Sequence, residues 1–179
     1  GTIRLYLRNE PLIDKRLVHF AELAWRLTRA TVVIQTNGSL LTEANARELS
    51  RYAKVIVNDY SGGEELRRVA PWIERYGIVA VDRTNPKGLT NRAGNLPDVA
   101  PVTAALAAFC VRPFEQMYIA YDGTAVLCCQ DWTLSEVMGD TKITPLLEIW
   151  RGAIYRKKRE ELIMCRRDGL CAKCDFPGV

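Results

Sequence analysis

Three β-branched runs, set apart by amphipathic segments, constrain this chain more than anything else in it. They are "TVVIQT" (31–36), "AKVIVNDY" (53–60) and "GIVAVDR" (77–83), and "IRLYLR" (3–8) reads as a further short strand ahead of them. Runs that are apolar almost throughout, rather than alternating, belong to strands covered on both faces. Between them lie helical signals. Residues 14–29 carry an apolar stripe at Leu17, Phe20, Leu23, Ala24 and Leu27; Thr42 is placed to cap a helix over 43–52; and 64–76 reads as a third helix despite Pro71. Strand–helix alternation of this kind predicts an α/β fold with a parallel sheet.

In such sheets ligands bind at the carboxyl ends of the strands. The polar clusters Asn9-Glu10, Thr36-Asn37-Gly38, Asn58-Asp59 and Arg83-Thr84-Asn85 all fall at those ends. Turn chemistry alone accounts for any one of them; four on one rim suggest a binding site.

From about residue 85 the pattern changes. "NPKGLTNRAGNLPDVAP" (85–101) reads as a long loop. "FEQMYIAYDGTAVLCCQ" reads as a hairpin turning at Asp122-Gly123, and "ITPLLEIWRGAIYRKKREELI" as one helix that leads into "CRRDGLCAKCDFPGV". The expected division is a parallel-sheet β/α unit over 1–97 and a small α+β hairpin-and-helix module over 98–179.

The chain has 179 residues, 26% of them charged, with a net charge of +4. That balance suits a globular protein and does not demand nucleic acid. The basic runs Arg156–Arg159 and Arg166-Arg167 read as solvated helix surface. RNA binding through them is a weaker idea, so nucleic acid is not expected. No apolar stretch reaches the roughly 20 residues of a membrane span, and nothing resembles a signal peptide. A cytoplasmic, reducing location follows as the expectation, with no membrane partner. The single histidine, His19, lies in a helical stretch and reads as a surface or packing residue; no histidine pairs with a nucleophile and no P-loop is present.

Six cysteines in a reducing compartment point to metal ligation, catalysis or core packing rather than to disulfides. Cys171 and Cys174 form a C-x2-C, a spacing that lets two thiolates converge on one centre. Cys110 and Cys128 frame the hairpin as C-x12-G-x4-C with Gly123 at the turn. Neighbouring strand residues point to opposite faces, so Cys128 and Cys129 cannot both serve one centre from a regular strand; one is expected in the core. Buried, inert thiols are the plain reading for Cys129 and Cys165. Spacing does not separate zinc from an iron–sulfur cluster.

Together these motifs resemble a known family, the radical S-adenosylmethionine (radical SAM) enzymes that carry a SPASM or Twitch extension. "LRNEPLID" resembles the family's Gly-Gly-Glu-Pro motif, "IQTNGSLLT" its "TNG…L" signature, and "VIVNDYSG" its polar strand end near the ribose; "NRAG" recurs before the extension. "C…PFEQMYIAYDGTAVLCCQDW…MGD…LLEIW…C…CAKCD" resembles the auxiliary-cluster module. The resemblance implies that Glu10, Thr36, Asn37, Asn58 and Asp59 serve S-adenosylmethionine, Glu10 holding its amino group. It implies that Cys110, Cys128, Cys171 and Cys174 hold one auxiliary [4Fe-4S] cluster, with zinc as the alternative occupant.

Two departures stand out. Arg8-Asn9 replaces the Gly-Gly pair, and the sequence has no C-x3-C-x2-C, the motif whose cluster cleaves S-adenosylmethionine. The resemblance therefore implies the substrate-side and auxiliary-cluster part of an oxidoreductase or maturase, with residues 1–97 as a partial β/α barrel truncated at its N-terminal side and no cleavage by this chain alone. The cosubstrate would then matter only in an intact parent enzyme. A contrasting expectation is a non-catalytic four-cysteine module that docks a partner, either a second copy or a missing N-terminal half. The substrate, small molecule or peptide, is not specified by these residues.

Overall fold

The computed structural model describes residues 1–84, 90–96, 99–100 and 102–178. Two compact units divide it, Gly1–Lys87 and Gly88–Val179.

The first unit is a four-stranded parallel sheet of order β1(Thr2–Arg4), β2(Thr31–Thr36), β3(Ala53–Asp59), β4(Val79–Asp82). Helices α1(Leu17–Thr28), α2(Glu43–Leu49) and α3(Glu64–Tyr76) make the crossovers. Val32 and Ile34 of β2 and Val55 and Val57 of β3 form one core with Leu17, Ala21, Ala46, Leu49 and Val69 from the helices. One face of the sheet is therefore dry and helix-covered. The capping expectation at Thr42 holds: its hydroxyl accepts from the Asn45 amide at 3.3 Å while the Asn45 side chain accepts from the Thr42 amide at 2.8 Å. The first strand is shorter than expected, and Pro11 does not bar helix but starts a 3-10 turn, Pro11–Ile13, since its fixed φ suits a first helical position. α3 runs through Pro71, which lies exposed.

The second unit is built on a three-stranded antiparallel sheet, β5(Tyr118–Ile119), β6(Thr124–Val126) and β7(Val137–Asp140). The hairpin turn at Asp122-Gly123 is present, with Gly123 at φ 90° and its amide bonded to Ala120 O at 3.0 Å. Sequence reasoning missed β7, the short α4(Arg112–Glu115) and a 3-10 turn over Gly169–Lys173. The expected single C-terminal helix is two, α5(Leu146–Arg151) and α6(Ala153–Ile163). Gly152 breaks it by taking an extended ψ of 166°. Gly139 of β7 explains how α5 seats: a Cβ there would lie 2.9 Å from the Ile149 side chain.

The units divide ten residues earlier than the expected 97/98 boundary, and hydrogen bonds give the reason. The Asn91 amide donates to Asp175 Oδ2 at 2.8 Å, and Asn91 Nδ2 to Lys173 O at 2.8 Å. Gln130 Nε2 donates to Thr90 Oγ1 at 2.8 Å. The "NRAG" segment thus belongs with the C-terminal tail. Most of the long loop expected over 85–101 is described, but residues 85–89, 97–98 and 101 lie outside the described residues.

Candidate functional site

At the carboxyl ends of β1 and β2 the structure brings Glu10, Thr36 and Asn37 together. The Thr36 hydroxyl, buried, donates to Glu10 Oε1 at 2.6 Å, and the Asn37 amide donates to Glu10 Oε2 at 2.8 Å. The Leu12 amide adds a third bond to Oε1 at 3.0 Å, so Glu10 also caps the 3-10 turn. A carboxylate has about four lone-pair sites, so Glu10 keeps acceptor capacity for a ligand. Gly38 turns the chain at φ 89°, where a Cβ would meet Val57 at 2.8 Å. Arg68 pins that turn by donating to the carbonyls of Leu41 (2.7 Å) and Gly38. The Asn37 side chain accepts from the Ser39 amide and hydroxyl at 2.9 and 2.8 Å, a local turn role.

Asn58 and Asp59 lie on opposite faces of β3. Asn58, buried, accepts from Arg83 Nε at 3.1 Å on the face away from the helices. Asp59 turns to the start of α3, accepting from the Ser61 amide (2.7 Å) and hydroxyl (2.5 Å). The Ser61 hydroxyl is the main cause that holds its carboxyl below the usual range, with the Gly63 and Leu66 amides adding to it. Asp59 thus commits Oδ1 to the start of its own helix, while Oδ2 is buried without a hydrogen-bond partner among the described residues.

In the second unit, Cys110, Cys128, Cys171 and Cys174 line one cavity. Its other walls include Ala93, Leu127, Leu170, Phe176, Arg112 and Arg167, and the unfilled space, counting the part open to solvent, is about 370 Å³. Cys165 is exposed after α6 and Cys129 is half-buried; neither lines the cavity, and neither is the core thiol expected of it. The strand argument for Cys128 and Cys129 also needs correcting, because β6 ends at Val126 and both cysteines sit in the bend beyond it. The bend is pinned by Asp131, buried, which accepts from the amides of Ser135 (2.9 Å) and Glu136 (2.8 Å). Cys128 turns inward while Cys129 accepts from Arg112 Nη1 at 3.3 Å.

Burial pushes the Cys128 thiol up to about 12 and the Cys171 thiol up to about 11, and raises Cys174 as well. The Gln130 amide and Arg112 oppose this at Cys128, the Phe176 amide and Arg167 at Cys174, and Lys158 at Cys171. Without a centre to bind, these thiols keep their protons; a metal that displaces them gains strong thiolate ligands. Among the described residues no three His, Cys, Asp or Glu side chains lie close enough to grip a single ion.

Basic residues read from sequence as surface turn out to brace this cavity. Arg167 is 4% exposed and donates to Ala108 O (2.9 Å), Phe109 O (3.2 Å) and Phe176 O (2.7 Å), tying the tail to the Cys110 segment. Lys158 pairs with Glu161 at 3.0 Å and Glu136 at 3.8 Å, and Glu136 accepts the Leu170 amide at 3.1 Å beside Cys171. Gly178 backs against Phe109, whose carbonyl a Cβ would strike.

A family model described as SPASM, an iron–sulfur cluster-binding domain, matches residues 110–175, which hold all four cavity cysteines. The chain carries a SPASM domain. Its resemblance to radical SAM enzymes with that extension is borne out by two further likenesses. The S-adenosyl-L-methionine-dependent 2-deoxy-scyllo-inosamine dehydrogenase of Niallia circulans is 26% identical over 188 residues, covering 100% of this chain and 74% of that protein. The crystal structure of BtrN in complex with AdoMet and 2-DOIA superposes with a TM-score of 0.85 at 26% identity, over 98% of this chain and 72% of that one. An open conformation of BtrN gives 0.73 at 23% identity, over 98% and 71%, a likeness of fold. The α/β fold with its parallel sheet is shared with BtrN. Among the described residues no helix is long and apolar enough to cross a membrane.

Proposed function

We propose that these residues form the substrate-side and auxiliary-cluster part of a radical SAM dehydrogenase, with the first unit as part of a β/α barrel and the SPASM domain holding one [4Fe-4S] cluster. The observation that carries the reading is the placement of Cys110, Cys128, Cys171 and Cys174 around one cavity. The four residues are the donor set such a cluster takes. The cavity walls are mainly apolar and carry two guanidinium groups, which suits a centre of net negative charge.

When bound, such a cluster would supply a site that accepts or passes an electron. The chain's own residues supply the rest. Glu10 presents an anchored carboxylate for an ammonium group, held by Thr36 and the Asn37 amide. Asn58 offers a buried amide on the helix-free face. The relative named for a 2-deoxy-scyllo-inosamine dehydrogenase activity points to a hydroxylated, amine-bearing ring as the substrate class. With no C-x3-C-x2-C among its 179 residues, this sequence does not by itself cleave S-adenosylmethionine.

Iron and sulfide analysis of protein reconstituted without oxygen, with an absorption spectrum, tests the reading. About four irons per chain and a broad band near 400 nm are expected of a thiolate-bound cluster. A colourless protein holding about one zinc would overturn it in favour of a structural module that docks a partner.

A further inference from the structure

Arg112 stands out on the cavity wall. It shares that wall with the four cysteines. Its guanidinium carbon lies 3.7 Å above the centre of the Phe176 ring, and its Nη1 donates to Cys129 Sγ at 3.3 Å. The nearby cations are engaged otherwise. Arg167 donates to three backbone carbonyls. Arg159 donates to Pro113 O (2.8 Å) and Trp150 O (2.7 Å) and is not part of the wall. Lys158 lies between two carboxylates. The hydrogen bond that Arg112 makes among the described residues goes to a thiol rather than to a carboxylate. No ion pair to a carboxylate neutralises it among the described residues, so its charge stands half-buried on the cavity wall, where screening is weaker than in water.

We propose that Arg112 raises the reduction potential of the cluster held by Cys110, Cys128, Cys171 and Cys174, and that Cys129 is the residue that positions it. This rests on the cluster reading above. A fixed positive charge favours whichever state of a cluster is more negative, which is the reduced one. Stacking on Phe176 fixes one side of the guanidinium and the Cys129 sulfur an edge. Two adjacent cysteines then have two tasks: Cys128 ligates, and Cys129 holds the cation that tunes the ligated centre.

The test is a redox titration, followed by absorption and by electron paramagnetic resonance, on the full chain reconstituted without oxygen. Arg112→Gln, Arg112→Lys, Cys129→Ala and the exposed control Arg151→Gln are compared with the parent protein at equal iron content. Arg112→Gln should lower the reduced-to-oxidised ratio at fixed potential about tenfold, a shift of about 59 mV to the negative for one electron. Arg112→Lys, which keeps the charge, should stay near the parent, and Cys129→Ala should move the same way by about threefold. Arg151→Gln should not move. A fully loaded Arg112→Gln protein that titrates with the Arg151→Gln control overturns the proposal and leaves the cluster reading intact. If Arg112→Gln loses its iron, Cys129→Ala decides: a negative shift supports the proposal, and a potential equal to the parent's overturns it. A parent protein that takes up no iron or sulfide overturns the cluster reading and this inference with it.

Discussion

A thiol buried as Cys128 is keeps its proton at neutral pH, because the cavity disfavours the thiolate more than Arg112 and the Gln130 amide favour it. The sign of the resulting pH dependence follows. In the unfolded apo-protein the thiol ionises near its ordinary 9, whereas folded Cys128 and Cys171 hold on up to about 12 and about 11. Above pH 9 the unfolded state has therefore lost protons that the folded state retains. Apo-protein stability contributed by these groups is fully present below pH 9 and is lost as the pH rises toward 11 to 12. The limit is about 1.4 kcal/mol per pH unit for each thiol. Urea unfolding of apo-protein between pH 8 and 10.5 reads the slope. A flat profile would mean that the thiols are wetter than the cavity implies. Ligand identity has its own test at this scale. Cys174→Ala should lose most of its iron, while Cys129→Ala should keep close to the parent content. Equal loss in both would overturn the ligand set.

At the level of elements, the "MGD" and "LLEIW" pieces of the sequence prove to be two sides of one contact. Gly139 of β7 leaves room for Ile149 of α5, and a Cβ at Gly139 would sit 2.9 to 3.1 Å from three Ile149 side-chain atoms. Two of those atoms are the γ carbons of a β-branched side chain that is stiff at χ1, so Gly139→Ala should cost about 1–3 kcal/mol as overpacking. Trimming the partner relieves it: Gly139→Ala with Ile149→Ala, which removes both γ carbons, should be less destabilised than the sum of the single variants by at least about 0.5 kcal/mol. Strict additivity in denaturant unfolding would show that the two residues do not share the seat. The same pair shows what was legible. β2, β3, α2 and α3 could be read because their apolar residues keep a period or a continuous run that only one element type satisfies. β7 is short, with a single residue of its "VMGD" among the deeply buried, so it gives no period. The break at Gly152 hides inside a helical stripe. At the site, the cysteines announced themselves by spacing, and Glu10 and Thr36 by the motifs around them. Arg112, Lys158 and Arg167 did not, since a buried cation is written with the same letter as a solvated one. Only tertiary packing shows that Arg167 spans from Ala108 to Phe176.

Over the whole molecule, the two compact units hold separate cores. Leu17, Ile34, Val57 and Val69 belong to the first, and Ala93, Leu127, Met138, Ile149 and Tyr155 to the second. All six cysteines lie in the second unit, and Cys128 and Cys174 are themselves members of its core. Under the proposed ligand set, ligation and packing there would be one structure. Removing the centre would then leave protonated thiols around a cavity and loosen the Gly169–Lys173 turn, which is otherwise held by Glu136 and by Arg167 at the tail. Because ligation free energy is folding free energy where the site is otherwise loose, iron removal should act on one unit. Hydrogen exchange resolved along the chain is the measurement. On chelation, amides of the Gly169–Lys173 turn and of the β5–β6 hairpin should lose at least about tenfold in protection, equivalent to 1.4 kcal/mol. Amides of β2 and β3 should keep theirs, since their core contains no ligand. Equal loss in β2 and β3 would show that the two cores unfold as one, and the cluster would then be a staple for the entire chain rather than for its second unit.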